Sequence, residues 1–222
     1  IHLIDPSNKD ISNLKKLQNN TRDKIKFSTG CSDLNFPMDR CYFASFRFLY
    51  LDKLGSLYNK VLVTDVDSII RRKFEFPVED FGFYIRKPLE SDDIWYEESS
   101  KLAAGIFYID LNTAKKFNFT EKYLNNLLNL RKNNQWKWMV DQNALHKVFK
   151  ELTKLDKFKI KKFTKKDLCW DFDDSSRIWT GKGARKYKSK KYLQEYKKYL
   201  HDYFKAGKIS LVERALNFIN QL

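Results

Sequence analysis

Two aspartates one residue apart, Asp65 and Asp67, close the apolar run Lys60-Val-Leu-Val-Thr64. Carboxylates spaced in this way can both turn toward one hard divalent cation, leaving its remaining positions to phosphate oxygens and water. The triplet alone is a weak signal, because such pairs arise by chance and Asp171-Phe-Asp173 is a second instance. Its place in the chain gives it weight, since ligand sites of open α/β sheets lie beyond the carboxyl ends of strands. A second chemistry-bearing stretch, Gly181-Lys-Gly-Ala-Arg-Lys186, offers close backbone approach and fixed positive charge, the two things a diphosphate requires. The plainer reading of that stretch is a solvated basic loop.

These residues need elements to hold them. Residues 1–4 read as a strand, followed by the turn signal Asp5-Pro-Ser-Asn8 and then by Ile11, Leu14 and Leu17 at helical spacing. A short strand is expected at 25–27 and a loop over 28–37. Over 40–54, Phe43, Phe46, Tyr50 and Leu54 recur three and four residues apart before Gly55, which predicts a helix with one buried face and a glycine stop. Residues 60–64 are nearly all β-branched or aliphatic, the pattern of a buried parallel strand covered on both faces. Further strands are expected at 81–85, 103–109 and 158–160, helices at 120–130 and 141–152, and an acidic surface loop with Trp95 at 90–99. Asp141 opens the second of those helices and can accept its free backbone N–H groups. After Asp171-Phe-Asp-Asp174 come a loop over 178–186 and two C-terminal helices, the last opening with the capping box Ser210-Leu-Val-Glu213. Alternating strands and helices imply an open α/β sheet.

The 222 residues suffice for one sizeable α/β domain, and a 42% hydrophobic, 16% aromatic composition belongs to a globular chain. One domain over 1–222 is expected, with 187–222 as a C-terminal helical extension. Cys31, Cys41 and Cys169 are odd in number and widely spaced, which argues for reduced structural thiols over a disulfide framework. Neither a membrane span nor a signal peptide is legible, so a cytoplasmic location is the expectation. The net charge of +15 admits an anionic partner such as a nucleotide, a phospholipid surface or nucleic acid. Abundant Lys, Asn, Ile, Tyr and Phe together also fit an AT-rich coding bias.

Taken in order, Tyr42-Phe-Ala-Ser-Phe-Arg47-Phe-Leu, Lys60-Val-Leu-Val-Thr-Asp-Val-Asp67, Ala103-Ala-Gly-Ile-Phe-Tyr-Ile109 and Asp141-Gln142-Asn-Ala-Leu145 resemble the GT-A glycosyltransferases related to family 8, the glycogenin and galactosyltransferase group. The likeness covers roughly residues 40–186. It implies a Rossmann-like, mixed but mostly parallel sheet flanked by helices, and transfer of a sugar from a nucleotide-diphosphate sugar, a UDP-sugar by preference. The acceptor would be a saccharide, a protein or a lipid-linked molecule, and the outcome retaining. It further implies Mn2+ or Mg2+ on Asp65 and Asp67, with Arg47, Asp141 and Gln142 at the reaction centre. Donor contacts would come from Arg47, Thr64, Asp65, Val66, Ala104, Gly105, Gly181, Lys182 and Lys186. For Arg47 the plainer reading is a solvent-facing helix charge, for Gly105 strand packing, and for Asp141 a helix cap.

The sequence departs from that family in two places. Ile178 stands where the family has a histidine metal ligand, so the third protein ligand is unassigned, with Asp171 or Asp173 as substitutes. The resemblance also places the family's first strand upstream of Ile1. Trp179 would close over the donor or simply pack. Two other classes compete: a haloacid-dehalogenase-like phosphatase using Asp65 as nucleophile, and a basic module for nucleic acid or anionic membrane built on the Lys- and Tyr-rich 182–208 region. No specific nucleic-acid motif is present. The helix near Ser189 reads as a solvated lysine face, with weak peripheral contact to an anionic membrane as its second reading.

Overall fold

The computed structural model describes residues 2–4, 8, 11, 12, 15, 28–30, 40–65, 67–86, 102–181 and 183–205, with backbone alone for 2–4, 28–30 and 199–205. The 90–99 loop, the Ser210 capping box and the strand expected at 25–27 lie outside these residues. The chain divides into two compact units: Ile1–Pro37 with Lys197–Leu222, and Met38–Tyr196. In the first, β1 (His2–Ile4) pairs in parallel with β2 (Ser28–Gly30), so a strand stands where the sequence predicts the start of a loop.

The larger unit holds β3 (Lys60–Thr64), β4 (Ser68–Ile70), β5 (Phe81–Ile85), β6 (Leu102–Asp110), β7 (Ile160–Phe163), β8 (Leu168–Cys169) and β9 (Ile178–Thr180). Its helices are α1 (Arg40–Leu49), α2 (Leu51–Leu54), α3 (Leu111–Phe117), α4 (Phe119–Lys132), α5 (Val140–Leu152), α6 (Arg185–Lys188) and α7 (Lys190–Lys205), the last continuing past Tyr196. The expected single helix over 40–54 breaks at Tyr50, and Gly55 keeps a right-handed φ of −65°, so it ends α2 without the left-handed turn that a glycine stop uses. Helix α3 was not legible as a separate element. It starts where the Asp110 side chain accepts from the N–H groups of Asn112 and Thr113, and it ends on Asn118 at φ 56°, a backbone region that asparagine tolerates.

The main sheet has the order β3-β6-β5-β7. β6 runs antiparallel to both β3 and β5, while β5 and β7 are parallel. Three strands therefore share one direction and β6 is reversed; two of the three pairings are antiparallel, so the sheet is mixed, and the expectation that it is mostly parallel is corrected. The expectation of a parallel strand at 60–64 is corrected: β3 pairs antiparallel with β6 in register Thr64↔Ile106, and its side chains are only partly buried. The continuously buried strand is β6, every residue of which except Asp110 is buried. An unbroken apolar run reports cover on both faces and carries no information about direction. The strand expected at 158–160 lies at Ile160–Phe163, and Ile178–Thr180, expected as loop, is a fully buried strand in the second sheet, β4-β9-β8.

Aromatic rings tie the layers together. Phe48 of α1 packs on Phe107 of β6 (centroids 5.6 Å apart) and on Tyr123 of α4 (5.0 Å), while Phe107 also meets Phe83 of β5 and Phe119 of α4, each at 5.1 Å. Such pairs add about 0.5–1.5 kcal/mol each beyond their buried area. They seat α1 against the sheet at the level of β6. Cys41 and Cys169 are buried, and Cys31 lies outside the described residues. Among the described residues no helix is long and apolar enough to cross a membrane.

The sheet depends on one absent side chain. A Cβ at Gly82 would lie 2.6 Å from the Phe163 ring and 3.0 Å from the Tyr108 Cβ, both in the core. Gly82→Ala is expected to destabilise the protein by about 1–3 kcal/mol, read as a lower midpoint in urea unfolding.

Candidate functional site

Helix α1 turns Phe48 into the core and so presents its neighbour Arg47 to the carboxyl end of β3. The Arg47 guanidinium donates through Nη1 to Asp65 Oδ1 at 2.5 Å and through Nη2 to Asp141 Oδ2 at 3.1 Å. Burial lowers the arginine's pKa, but the two carboxylates outweigh it and hold it above its ordinary value. The solvent-facing reading of Arg47 is thereby corrected. The N-cap position of α5 is Met139, at a left-handed φ of 77°, and Asp141 lies inside the first turn, where its carboxylate accepts from the Gln142 backbone N–H and is also turned to Arg47. Burial raises the Asp141 pKa, and Arg47 opposes that shift. Tyr123, buried from α4, donates its hydroxyl to the Asp141 carbonyl at 3.4 Å.

Next to this arginine bridge, the Asp65 N–H donates to the Gly105 carbonyl at 3.3 Å, and the Ala104 N–H donates to Gln142 Oε1 at 3.4 Å. Thr64 is the last residue of β3, paired with Ile106. Arg47 Nε and Gln142 Nε2 are buried donors with no hydrogen-bond partner among the described residues. Buried donors in native proteins are nearly always satisfied, so each of these two could take an acceptor oxygen from a ligand.

Asp67 has its own set of partners. Lys186 donates to its Oδ2 at 2.8 Å, Thr180 makes a long contact of 3.5 Å to Oδ1, and the backbone carbonyl accepts from the Gly181 N–H at 3.2 Å and the Tyr192 hydroxyl at 2.7 Å. Burial lowers the Lys186 pKa, but its bond to Asp67 prevails and raises it. Asp65 and Asp67 lie two residues apart, within about 7 Å of chain, so the two groups of residues adjoin. Thr180 and Tyr192 were not foreseen; nothing in their spacing separates them from packing residues. Val66 and Lys182 lie outside the described residues.

The two carboxylates suit a hard cation. Each commits one oxygen to a basic partner, Asp65 Oδ1 to Arg47 and Asp67 Oδ2 to Lys186, and each keeps one oxygen free of an ion pair. Gly105 protects that arrangement, because a Cβ there would stand 2.8 Å from Asp65 Oδ2. The side chains of Asp65 and Asp67 are 36% and 29% exposed, so a ligand can reach them. Among the described residues no group of three or more His, Cys, Asp or Glu could hold a metal, so ligand oxygens and water would complete the shell.

The substitutes for the missing histidine do not join the site. Asp171 and Asp173 both pair with Lys165, and Asp173 also accepts from Ser175, whose bonds lower its pKa to about 2. Ile178 is fully buried among Ile106, Tyr108, Phe163 and Leu168. Trp179 packs: it is buried beside Cys169 and Phe172, its Nε1 donates to the Asp173 carbonyl at 2.6 Å, and the Arg71 guanidinium stacks 3.7 Å from its ring centroid.

With this geometry in hand, the chain can be set beside known proteins. No family model and no curated protein matches the sequence. The fold is similar to that of WbbM, a bifunctional glycosyltransferase solved in its apo form, with a TM-score of 0.50 and 11% identity. The architecture is one found in a glycosyltransferase. At that identity the likeness concerns the fold, and the match covers 86% of this chain but 44% of the neighbour, less than half its length.

Because Arg47 neutralises two carboxylates at once, its loss leaves two uncompensated charges. Arg47→Met is expected to cost about 3 kcal/mol, and Arg47→Met with Asp141→Asn to cost less than the sum of the single changes, checked by urea unfolding in a double-mutant cycle.

Proposed function

We propose that this chain is a GT-A-type glycosyltransferase that binds a nucleotide-diphosphate sugar at the end of β3 and transfers the sugar to a saccharide, protein or lipid-linked acceptor. The observation that carries the reading is the convergence on one place of Asp65, Asp67, Arg47, Gly105, Asp141, Gln142 and Lys186, residues drawn from across 140 positions of sequence. The likeness of fold to a glycosyltransferase supports it.

Under this proposal Asp65 and Asp67 would hold Mn2+ or Mg2+, each through the carboxylate oxygen outside its ion pair. When bound, such an ion supplies Lewis-acid neutralisation of the charge that gathers on the leaving nucleotide. Lys186 leaves Asp67 for the diphosphate and adds a fixed positive charge there. Gly105 lets the sugar approach the backbone of β6. Gln142 Nε2 and Arg47 Nε, two of the buried donors without a partner among the described residues, would hold sugar hydroxyls, and Asp141, kept in place by Arg47, would lie at the reacting end of the donor. A retaining outcome and a preference for UDP follow from the resemblance to the glycogenin group.

Calorimetry with UDP and GDP, with and without Mn2+, tests this reading. Metal-dependent binding of one nucleotide is expected, abolished in Asp65→Ala/Asp67→Ala protein. Nucleotide-independent, steeply salt-dependent binding to DNA or anionic vesicles would instead favour a basic surface module. Gly105→Ala is expected to fold and yet lose metal-dependent nucleotide binding by at least about tenfold, because the new methyl group displaces the Asp65 carboxylate.

A further inference from the structure

The two aspartates are held by different parts of the chain. Asp65 is met by α1 and β6, whereas the described side-chain and carbonyl bonds of Asp67 come from residues 180–192. Two of these bonds saturate the Asp67 carbonyl: the Gly181 N–H at 3.2 Å and the Tyr192 hydroxyl at 2.7 Å. A carbonyl with both lone pairs engaged cannot turn, so the peptide plane at Asp67 is fixed from outside its own loop.

Tyr192 lies in the first turn of α7, where its N–H donates to the Ser189 hydroxyl at 3.2 Å. Its ring is 4% exposed and packs on Phe172 at 4.9 Å and Tyr196 at 6.1 Å. Those contacts ask only for a ring, and phenylalanine would serve them equally. The hydroxyl is described in one bond, the one to Asp67. A Cβ at Gly181 would come within 2.9 Å of both the Tyr192 hydroxyl and the Lys186 Cβ, so glycine is what allows the three residues to close around Asp67.

We infer that Tyr192 is a positioning residue of the donor site: through its hydroxyl, α7 sets the direction in which the Asp67 carboxylate leaves the chain. Lys186 must release Asp67 to meet an incoming diphosphate, and the Tyr192 bond keeps the aspartate aligned while it does so. The C-terminal helix, expected to be an extension from residue 187, thus contributes to the site itself. This inference rests on the donor-site reading above.

The test compares full-length wild type, Tyr192→Phe and Tyr196→Phe protein by calorimetry with UDP and GDP in the presence of Mn2+, alongside thermal unfolding of each. Tyr192→Phe is expected to weaken metal-dependent nucleotide binding about tenfold with little change in melting temperature, while Tyr196→Phe binds as wild type. Unchanged affinity in Tyr192→Phe, or equal losses in both variants, would overturn the positioning role. Absence of nucleotide binding in wild type would overturn the donor-site reading beneath it.

Discussion

One guanidinium holds the centre of this structure together. Arg47 reaches Asp65 at the end of β3 and Asp141 at the start of α5, joining three segments through one side chain. Two carboxylates brought close together repel one another, which favours proton uptake by one of them unless a shared cation lies between. The arginine between them supplies that cation, and Asp65 keeps an oxygen outside the ion pair. The aromatic packing of Phe48 against Phe107 and Tyr123 makes this bridge possible, because it fixes the turn of α1 from which Arg47 projects.

Strand β9 plays the corresponding part for the second aspartate. Its two faces belong to two clusters: Ile178 packs with Ile106, Tyr108 and Phe163, and Trp179 with Ile69, Phe172 and Tyr192. A short strand buried on both sides cannot slide, since a one-residue slip would exchange the faces. Thr180 and Gly181, which follow Trp179 directly, are thereby held against Asp67. Ile178 is accordingly a core residue, and the charge at Asp67 is met by Lys186.

The basic character of the chain divides into two kinds. Arg47 and Lys186 are ion-paired within the site, while Lys190, Lys197 and Lys198 are exposed along α7 and present the solvated face read from the sequence. Lys191 is intermediate in role: exposed, yet bonded to Asp174 and set over the Trp179 ring. Surface charge of this sort tunes association and solubility, whereas Arg47 and Lys186 bear on where an anionic ligand can sit.

The sequence by itself determined the elements with strong local patterns: the apolar strands at 60–64 and 103–109, the helices at 120–130 and 141–152, and the aspartates at the end of the first of these strands. Side-chain period and end signals are local properties, so they survive without knowledge of the partners. Strand direction was not legible, because an apolar run is the same whether its neighbour is parallel or antiparallel, and β6 lies reversed within the sheet. The role of Asp141 was also open, since an acidic residue at a helix start serves equally as a cap or as an arginine's partner; only the approach of α1, 94 residues away, decided it. Tyr192 was invisible for the same reason: its hydroxyl matters only through Asp67, 125 residues distant, and a contact of that span is set by tertiary packing alone.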